Sequence, residues 1–280
     1  MTYKDFWQPL TVRYDEGEAK AVARMVMELR YGLTMADILC GRVETLDHAG
    51  LTALQRRLLA GEPVQYVLGV ADFGPRTFVV APGVLIPRPE TYELCRWVIE
   101  SYSTVDHRIS ILDIGTGRGC IACTLAAELP SADVTAWDVS DAALAVAREN
   151  VKRTGVHVSL EHRDIFSPPD DTVSWDVIVS NPPYVCEFEK QDMERHVLDH
   201  EPAEALFVPD DDPHRFYRAI ARYARQAVRP QGSVFVECNP LFYDEQSSLL
   251  MDEGCFDKAR VRRDQFGNYR FIKTCRETKE

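Results

Sequence analysis

Asn181, Pro182, Pro183 and Tyr184 follow in immediate succession after the apolar run Trp175-Asp176-Val177-Ile178-Val179. Two prolines remove two backbone donors and fix two φ angles, so the segment reads as a stiff, extended or turning piece at the edge of the fold. Asn-Pro also opens ordinary turns, so the segment gains chemical meaning only from what gathers around it. What it can offer is oxygen held still. The Asn181 side-chain oxygen and the Pro182 carbonyl can accept both N–H protons of an amide or exocyclic amine, a nitrogen whose own lone pair is delocalised. Held in that way, the nitrogen aims its remaining lone pair at an electrophile. Tyr184 offers a flat face to a flat group, and no strong general base is required because alkylation itself acidifies the nitrogen.

A site for the electrophile is suggested upstream. The stretch "ILDIGTGRGCIA" sets Asp113, Gly115, Thr116, Gly117, Arg118 and Gly119 between a strand and a helix. Glycines there let the backbone come close to a ligand, and the helix start offers free N–H groups. The dinucleotide pattern G-x-G-x-x-G wants glycine or alanine where this chain has Cys120, and the glycines alternate as G-x-G-x-G instead. Asp138 closes the next strand, where a carboxylate can accept hydrogen bonds from ribose hydroxyls, and Asp164 follows the third strand as another acid on the same rim. Acids without an ordered basic cluster suit a neutral nucleoside carrying a cationic centre, which describes S-adenosylmethionine better than NAD. Singly, the glycines could be a tight turn, Asp138 an N-cap and Asp164 a solvated loop acid. Together with the proline motif they point to methyl transfer.

These residues need a frame. From Ile109 onward strand and helix patterns alternate: 109–114 strand, 120–129 helix, 134–137 strand, 142–154 helix, 156–160 strand, 175–179 strand, 216–228 helix and 233–237 strand. That alternation predicts a mostly parallel sheet wrapped by helices, with ligands bound across the carboxyl ends of its strands. Before it, Ala19, Val22, Ala23, Val26 and Leu29 share one helix face with Gly32 as stop, Thr34 to Asp37 reads as a capping box, and Leu51, Leu54, Leu58 and Leu59 mark a further helix. The expected division is a helical unit over 1–64, a β-hairpin connector over 65–85 built from "QYVLG" and "RTFVV" around Gly74-Pro75, and an α/β unit over 86–280.

Composition narrows the partners. With 32 basic and 44 acidic side chains the net charge is −12, which disfavours direct binding to nucleic acid. No stretch approaches the roughly 20 apolar residues needed to span a bilayer, and "MTYKDFWQPL" has no signal-like pattern, so a cytoplasmic protein without membrane contact is expected. Eight cysteines contain one close pair, Cys120 and Cys123, which is no metal framework, so both are expected as reduced packing residues and no metal is anticipated.

Read together, "PVQYVLG", "GVLIPRPET", "LDIGTGRG", "WDVIVSNPPYV", "EPAEALF" and "RDQFGNYR" make the chain resemble the peptide chain release factor glutamine methyltransferases of the HemK/PrmC type. The resemblance runs from Pro63 to Arg270. It implies a seven-stranded class I methyltransferase sheet of Rossmann-like type with a small N-terminal helical bundle for substrate recognition. It also implies S-adenosylmethionine as donor, with S-adenosylhomocysteine as product, and the Gly-Gly-Gln glutamine of class I release factors as acceptor. Carried over, residues 115–119 line the methionine and ribose part of the cofactor, Asp138 holds the ribose, and Asp164 and Ile165 lie by the adenine. Asn181, Pro182, Pro183 and Tyr184 hold the glutamine amide, while Arg88, Pro89 and Glu90 wall the lid side. Tyr92, Arg118 and Cys120 depart from residues usual in the family. Methylation of a ribosomal-protein glutamine stands second, a nucleic-acid amino-methyltransferase third, and an inactive cofactor-binding scaffold is the reading from outside enzymology.

Overall fold

The structure, a computed structural model, describes residues 1–170 and 174–276, so the last four residues of the expected 86–280 unit lie outside it. Five α-helices come first: α1 (Tyr3–Trp7), α2 (Glu16–Tyr31), α3 (Met35–Leu39), α4 (His48–Leu59) and α5 (Val64–Leu68). They close on their own core, with Phe6, Leu10, Val26, Met27, Leu51 and Leu58 fully buried. Local chemistry sets the boundaries. Asp15 caps α2 by accepting the Glu18 N–H at 2.8 Å, and Gly32 ends it at φ 67°. Thr34 and Asp37 form the anticipated reciprocal cap of α3.

Two expectations fail here. Leu29 is 45% exposed, because it lies at the edge of the helical stripe beyond Val22 while Met27 fills the buried side. "QYVLG" is not a strand. Its residues 65–68 belong to α5, which Gly69 ends at φ 73°; so short an apolar run has no period of its own to distinguish helix from strand. The hairpin begins one residue later, with β1 (Val70–Phe73) and β2 (Arg76–Val79) paired antiparallel around Gly74-Pro75.

The rest alternates as α6 (Pro89–Tyr102), β3 (Ser110–Ile114), α7 (Cys120–Glu128), β4 (Asp133–Asp138), α8 (Asp141–Thr154), β5 (Ser159–His162) and β6 (Trp175–Ser180). A small parallel pair, β7 (Val185–Cys186) and β8 (Phe207–Val208), brackets α9 (Arg195–His200). Then come α10 (Arg215–Ala227), β9 (Val228–Glu237), α11 (Tyr243–Gly254), β10 (Lys258–Arg263) and β11 (Tyr269–Cys275). Seven strands form one sheet in the order β10-β11-β9-β6-β3-β4-β5, parallel from β9 to β5 and antiparallel at β11 and β10. The antiparallel hairpin β10–β11 was not foreseen, since its charged run "KARVRR" carries little apolar signal.

Side-chain alternation splits the sheet between two cores. Ile111, Val177 and Val179 face one, with α6 and α7, whereas Leu112, Ile178 and Val236 face the other, with α10 and α11. Trp137 and Trp175 sit in the second core and Trp97 in the first. Cys120 and Cys123 are buried free thiols at the start of α7, and burial pushes their pKa up to about 12 and about 11. Among the described residues no helix is long and apolar enough to cross a membrane.

Candidate active site

Register assembles the site. Ile114 pairs with Trp137 on one side and with Ser180 on the other, Ser180 pairs with Val236, and Asp138 pairs with His162. The next position on each strand therefore forms a row along the carboxyl edge: Asp138, Gly115, Asn181 and Glu237. The strand order reverses at β3, with β4 and β5 on one side and β6 and β9 on the other, which makes the crevice where parallel sheets bind ligands.

A cavity of about 340 Å³ opens above that row, within the range of small-molecule sites. Gly115, Asp138, Asp164, Ile165, Asn181, Pro182 and Pro183 lie on its wall, so seven residues singled out in the sequence come together there. Apolar cover comes from Val84, Leu85, Phe166, Phe216 and Ile220. A Cβ on Gly115, whose φ is 72°, would meet only open space. A larger groove of about 550 Å³ runs over α10, where Arg218 pairs with Asp212 at 3.1 Å, Arg222 with Glu253 at 2.9 Å, and Arg215 lies over the Phe166 and Phe216 rings. It holds none of the rim row.

Thr116, Gly117, Arg118, Gly119 and Tyr184 stand off the cavity wall and shape it. The Thr116 hydroxyl donates to Asp113 Oδ2 at 2.6 Å, and the Ala122 N–H donates to the same oxygen at 3.2 Å, bracing the turn against the first residues of α7. Asp113 is fully buried, and burial pushes its pKa up to about 7 despite those two donors. The Gly117 N–H donates to Asp138 Oδ2 at 2.7 Å and the Ser140 N–H to Oδ1 at 2.8 Å. Burial raises the Asp138 pKa as well, with the N–H donors pulling it back. Gly119, at φ 83°, precedes α7 with its Cβ position 3.3 Å from the Ala147 Cβ. Asp164 Oδ1 accepts the Phe166 N–H at 2.9 Å.

Arg118 is only 4% exposed, and its Nε and Nη1 have no hydrogen-bond partner among the described residues. Burial lowers its pKa, and Cys120, Tyr66 and Glu201 counter the effect. Glu201 is itself committed, accepting the Ile86 N–H at 2.9 Å and Arg88 Nη2 at 2.6 Å. Arg88 is thus tied back to Glu201, and Gly83, Val84 and Leu85 wall that side of the cavity.

The Asn181 amide is anchored from behind. Its Nδ2 donates to Thr91 Oγ1 at 2.9 Å, and the Tyr184 hydroxyl donates to Glu237 Oε1 at 2.8 Å. Burial carries the Tyr184 pKa well above the ordinary phenol value, and Glu237 adds to the rise. Cys186 is fully buried, and burial followed by Glu189 pushes its thiol up to about 11, so it is protonated and unreactive at neutral pH.

Sequence reasoning missed Thr91, Glu237, Glu201 and Asn150. Asn150 Oδ1 accepts the Val79 N–H at 2.7 Å, and its Nδ2 reaches the Arg118 carbonyl at 3.0 Å, joining hairpin, α8 and glycine turn. An acid closing the apolar run "VFVE" was a usable signal for Glu237. Nothing local marks Asn150.

The model of the methyltransferase small domain family matches residues 98–206. Over 269 residues the chain is 43% identical to a release factor glutamine methyltransferase of Bacteroides thetaiotaomicron, covering 95% of each chain. Over 273 residues it is 37% identical to the protein of the same description from Flavobacterium psychrophilum, covering 96% of this chain and 95% of the relative. Among solved structures, the T. thermophilus 16S rRNA N2 G1207 methyltransferase in complex with AdoMet and guanosine superposes with a TM-score of 0.55 at 19% identity. That likeness covers 74% of this chain and 50% of the other and concerns the fold.

Proposed function

The chain belongs to the release factor glutamine methyltransferase family, and on that premise we propose that it transfers a methyl group from S-adenosylmethionine to the side-chain amide nitrogen of the Gly-Gly-Gln glutamine in class I peptide chain release factors, modulating translation termination. One observation carries the reading. Asn181 sits on the cavity wall with its amide nitrogen given to Thr91, which leaves Oδ1 as the end available to a substrate N–H.

The residues fit the cofactor. Its ribose hydroxyls and adenine amino group are donors, and the wall carries the acceptors Asp138 and Asp164. Gly115 leaves open space where a side chain would stand, and Ile165 and Phe166 supply apolar surface for a base. Arg118 stands off the cavity wall with two buried nitrogens lacking protein partners among the described residues, so it supplies positive charge beside the glycine turn rather than a contact on the wall. Bound there, the cofactor supplies an electrophilic methyl on a cationic sulfur. The protein's part is to hold the glutamine. Asn181 Oδ1 and the Pro182 carbonyl accept its two N–H protons, and the Pro182-Pro183 frame keeps those oxygens from following the substrate as it moves. Positioned acceptors of this kind act most strongly where water is excluded.

Residues 1–64 are assigned to recognition of the release factor. Leu29 on α2 and Leu39 on α3 are 45% and 80% exposed, with Met25 and Met35 also exposed one turn before them, an apolar surface that a protein partner can cover.

The test is methyl transfer from labelled S-adenosylmethionine to intact release factor and to the same factor with the Gly-Gly-Gln glutamine replaced. Label is expected on the intact factor alone. Asn181→Ala should keep the fold and lose about 100- to 1000-fold in single-turnover rate, the scale of one preorganised polar group. A rate near that of the parent would refute the role of Asn181.

A further inference from the structure

Glu237 ends β9 beside Asn181 in the rim row, is 1% exposed, and does not line the cavity. Both of its oxygens are occupied. Oε2 accepts the Thr91 hydroxyl at 2.7 Å and Oε1 accepts the Tyr184 hydroxyl at 2.8 Å. Both hydroxyls donate to the carboxyl group, and a hydroxyl has one hydrogen to give. The single Thr91 proton is therefore spent on Glu237, and Thr91 Oγ1 can only accept from its other neighbour. That neighbour is the Asn181 amide, 2.9 Å away, and only its NH2 end carries hydrogens.

We propose that Glu237, acting through Thr91, is a positioning residue that fixes the flip of the Asn181 amide so that Oδ1, and not NH2, faces the substrate. The assignment rests on the reading of Asn181 as the acceptor for the glutamine amide. Its consequence is a preference for an acceptor nitrogen that brings hydrogens to the site. Were the amide reversed, Oδ1 would meet Thr91 Oγ1 with no hydrogen between them, and NH2 would confront the substrate's own N–H groups. Arg270 supports the arrangement from the far side: its Nη1 lies 3.3 Å from the Tyr184 hydroxyl, and its Nε donates to buried Asp264 at 3.3 Å. Burial pushes the Glu237 pKa up, while both hydroxyls and Arg270 pull it back.

Thr91→Val removes the hydroxyl at nearly constant shape, Thr91→Ser keeps it, and Glu237→Gln introduces donors where only acceptors stood. Each is compared with its parent in methyl transfer to the release factor, in calorimetric binding of S-adenosylhomocysteine and in thermal midpoint. Thr91→Val and Glu237→Gln should lower kcat by about 10- to 100-fold, the worth of one oriented polar contact, with KM and S-adenosylhomocysteine affinity little changed. Thr91→Ser should retain most of kcat. In an Asn181→Ala background, Thr91→Val should cost nothing further, because its effect passes through that side chain. A parental rate for Thr91→Val, equal damage from Thr91→Ser, or an undiminished effect of Thr91→Val without Asn181 would each overturn the positioning role while leaving Asn181 in place. A parental rate for Asn181→Ala alone would remove the acceptor reading and this inference with it. If Glu237→Gln does not fold, the Thr91 pair and the double variant decide.

Discussion

Asp113→Asn should make the protein's stability less sensitive to pH. Asp113 is fully buried at the end of β3, with Oδ2 holding the Thr116 hydroxyl and the Ala122 N–H and Oδ1 without a partner among the described residues. Its pKa rises from 3.8 to about 7, chiefly by burial, which corresponds to about 4 kcal/mol of preference for the neutral form in the folded chain. The sign follows from proton binding. Between those two values the folded state keeps a proton that the unfolded state has released, so stability falls as pH rises and levels off above pH 7. Asparagine has the same shape and no charge at any pH, so the variant lacks that decline. Urea unfolding of parent and variant, followed by fluorescence of the buried Trp137 and Trp175, should show the gap moving in the variant's favour by about 3 kcal/mol between pH 5 and pH 8.5. A stability difference that does not change with pH would refute the buried neutral acid.

Two further substitutions test the outer parts of the site. Arg118→Met removes two buried nitrogens that lack partners among the described residues, so the ligand-free protein should gain about 1 to 3 kcal/mol in unfolding free energy, read by urea unfolding; no gain in stability would defeat the argument. Leu29→Ser with Leu39→Ser strips apolar surface from α2 and α3, and should raise KM for the release factor by about tenfold with S-adenosylhomocysteine binding unaltered; an unmoved KM would dissociate this surface from recognition.

What the sequence made legible was what is local in the chain. The Asn181 to Tyr184 segment and the glycine turn are contiguous, so residue type and order sufficed to suggest their chemistry. Asp138 and Asp164 were legible because each follows a strand, and parallel strands end on one edge. What remained hidden depends on register. Thr91, Asn181 and Glu237 lie on α6, after β6 and on β9, and their hydrogen bonds exist only because Ser180 pairs with Val236 and α6 packs across that edge. Asn150 looks like an ordinary helix residue until β2 is set beside α8. Helix α5 and hairpin β10–β11 were missed for the opposite reason: one is a short apolar run and the other a charged one, and neither presents enough of a period to read.

Two buried carboxylates, Asp113 and Glu237, and the half-buried Asp138 explain why this glycine turn differs from one that cradles a pyrophosphate. Asp113 takes a hydroxyl and an N–H, Asp138 takes the N–H groups of Gly117 and Ser140, and Glu237 takes the hydroxyls of Thr91 and Tyr184. Each acid consumes donors of the protein itself. In a phosphate-binding turn the backbone N–H groups stay free and point at the anion. Here the Gly117 N–H is already spent, and the carboxylate that holds it stands on the cavity wall. A phosphate entering the cavity would find Asp138 in place of the vacant donors it needs, whereas hydroxyls and amines would find acceptors. Burial raises the pKa of all three acids, which is the electrostatic cost of holding them out of water. The hydrogen bonds they accept offset part of that cost and at the same time decide which polar ends remain turned toward the ligand.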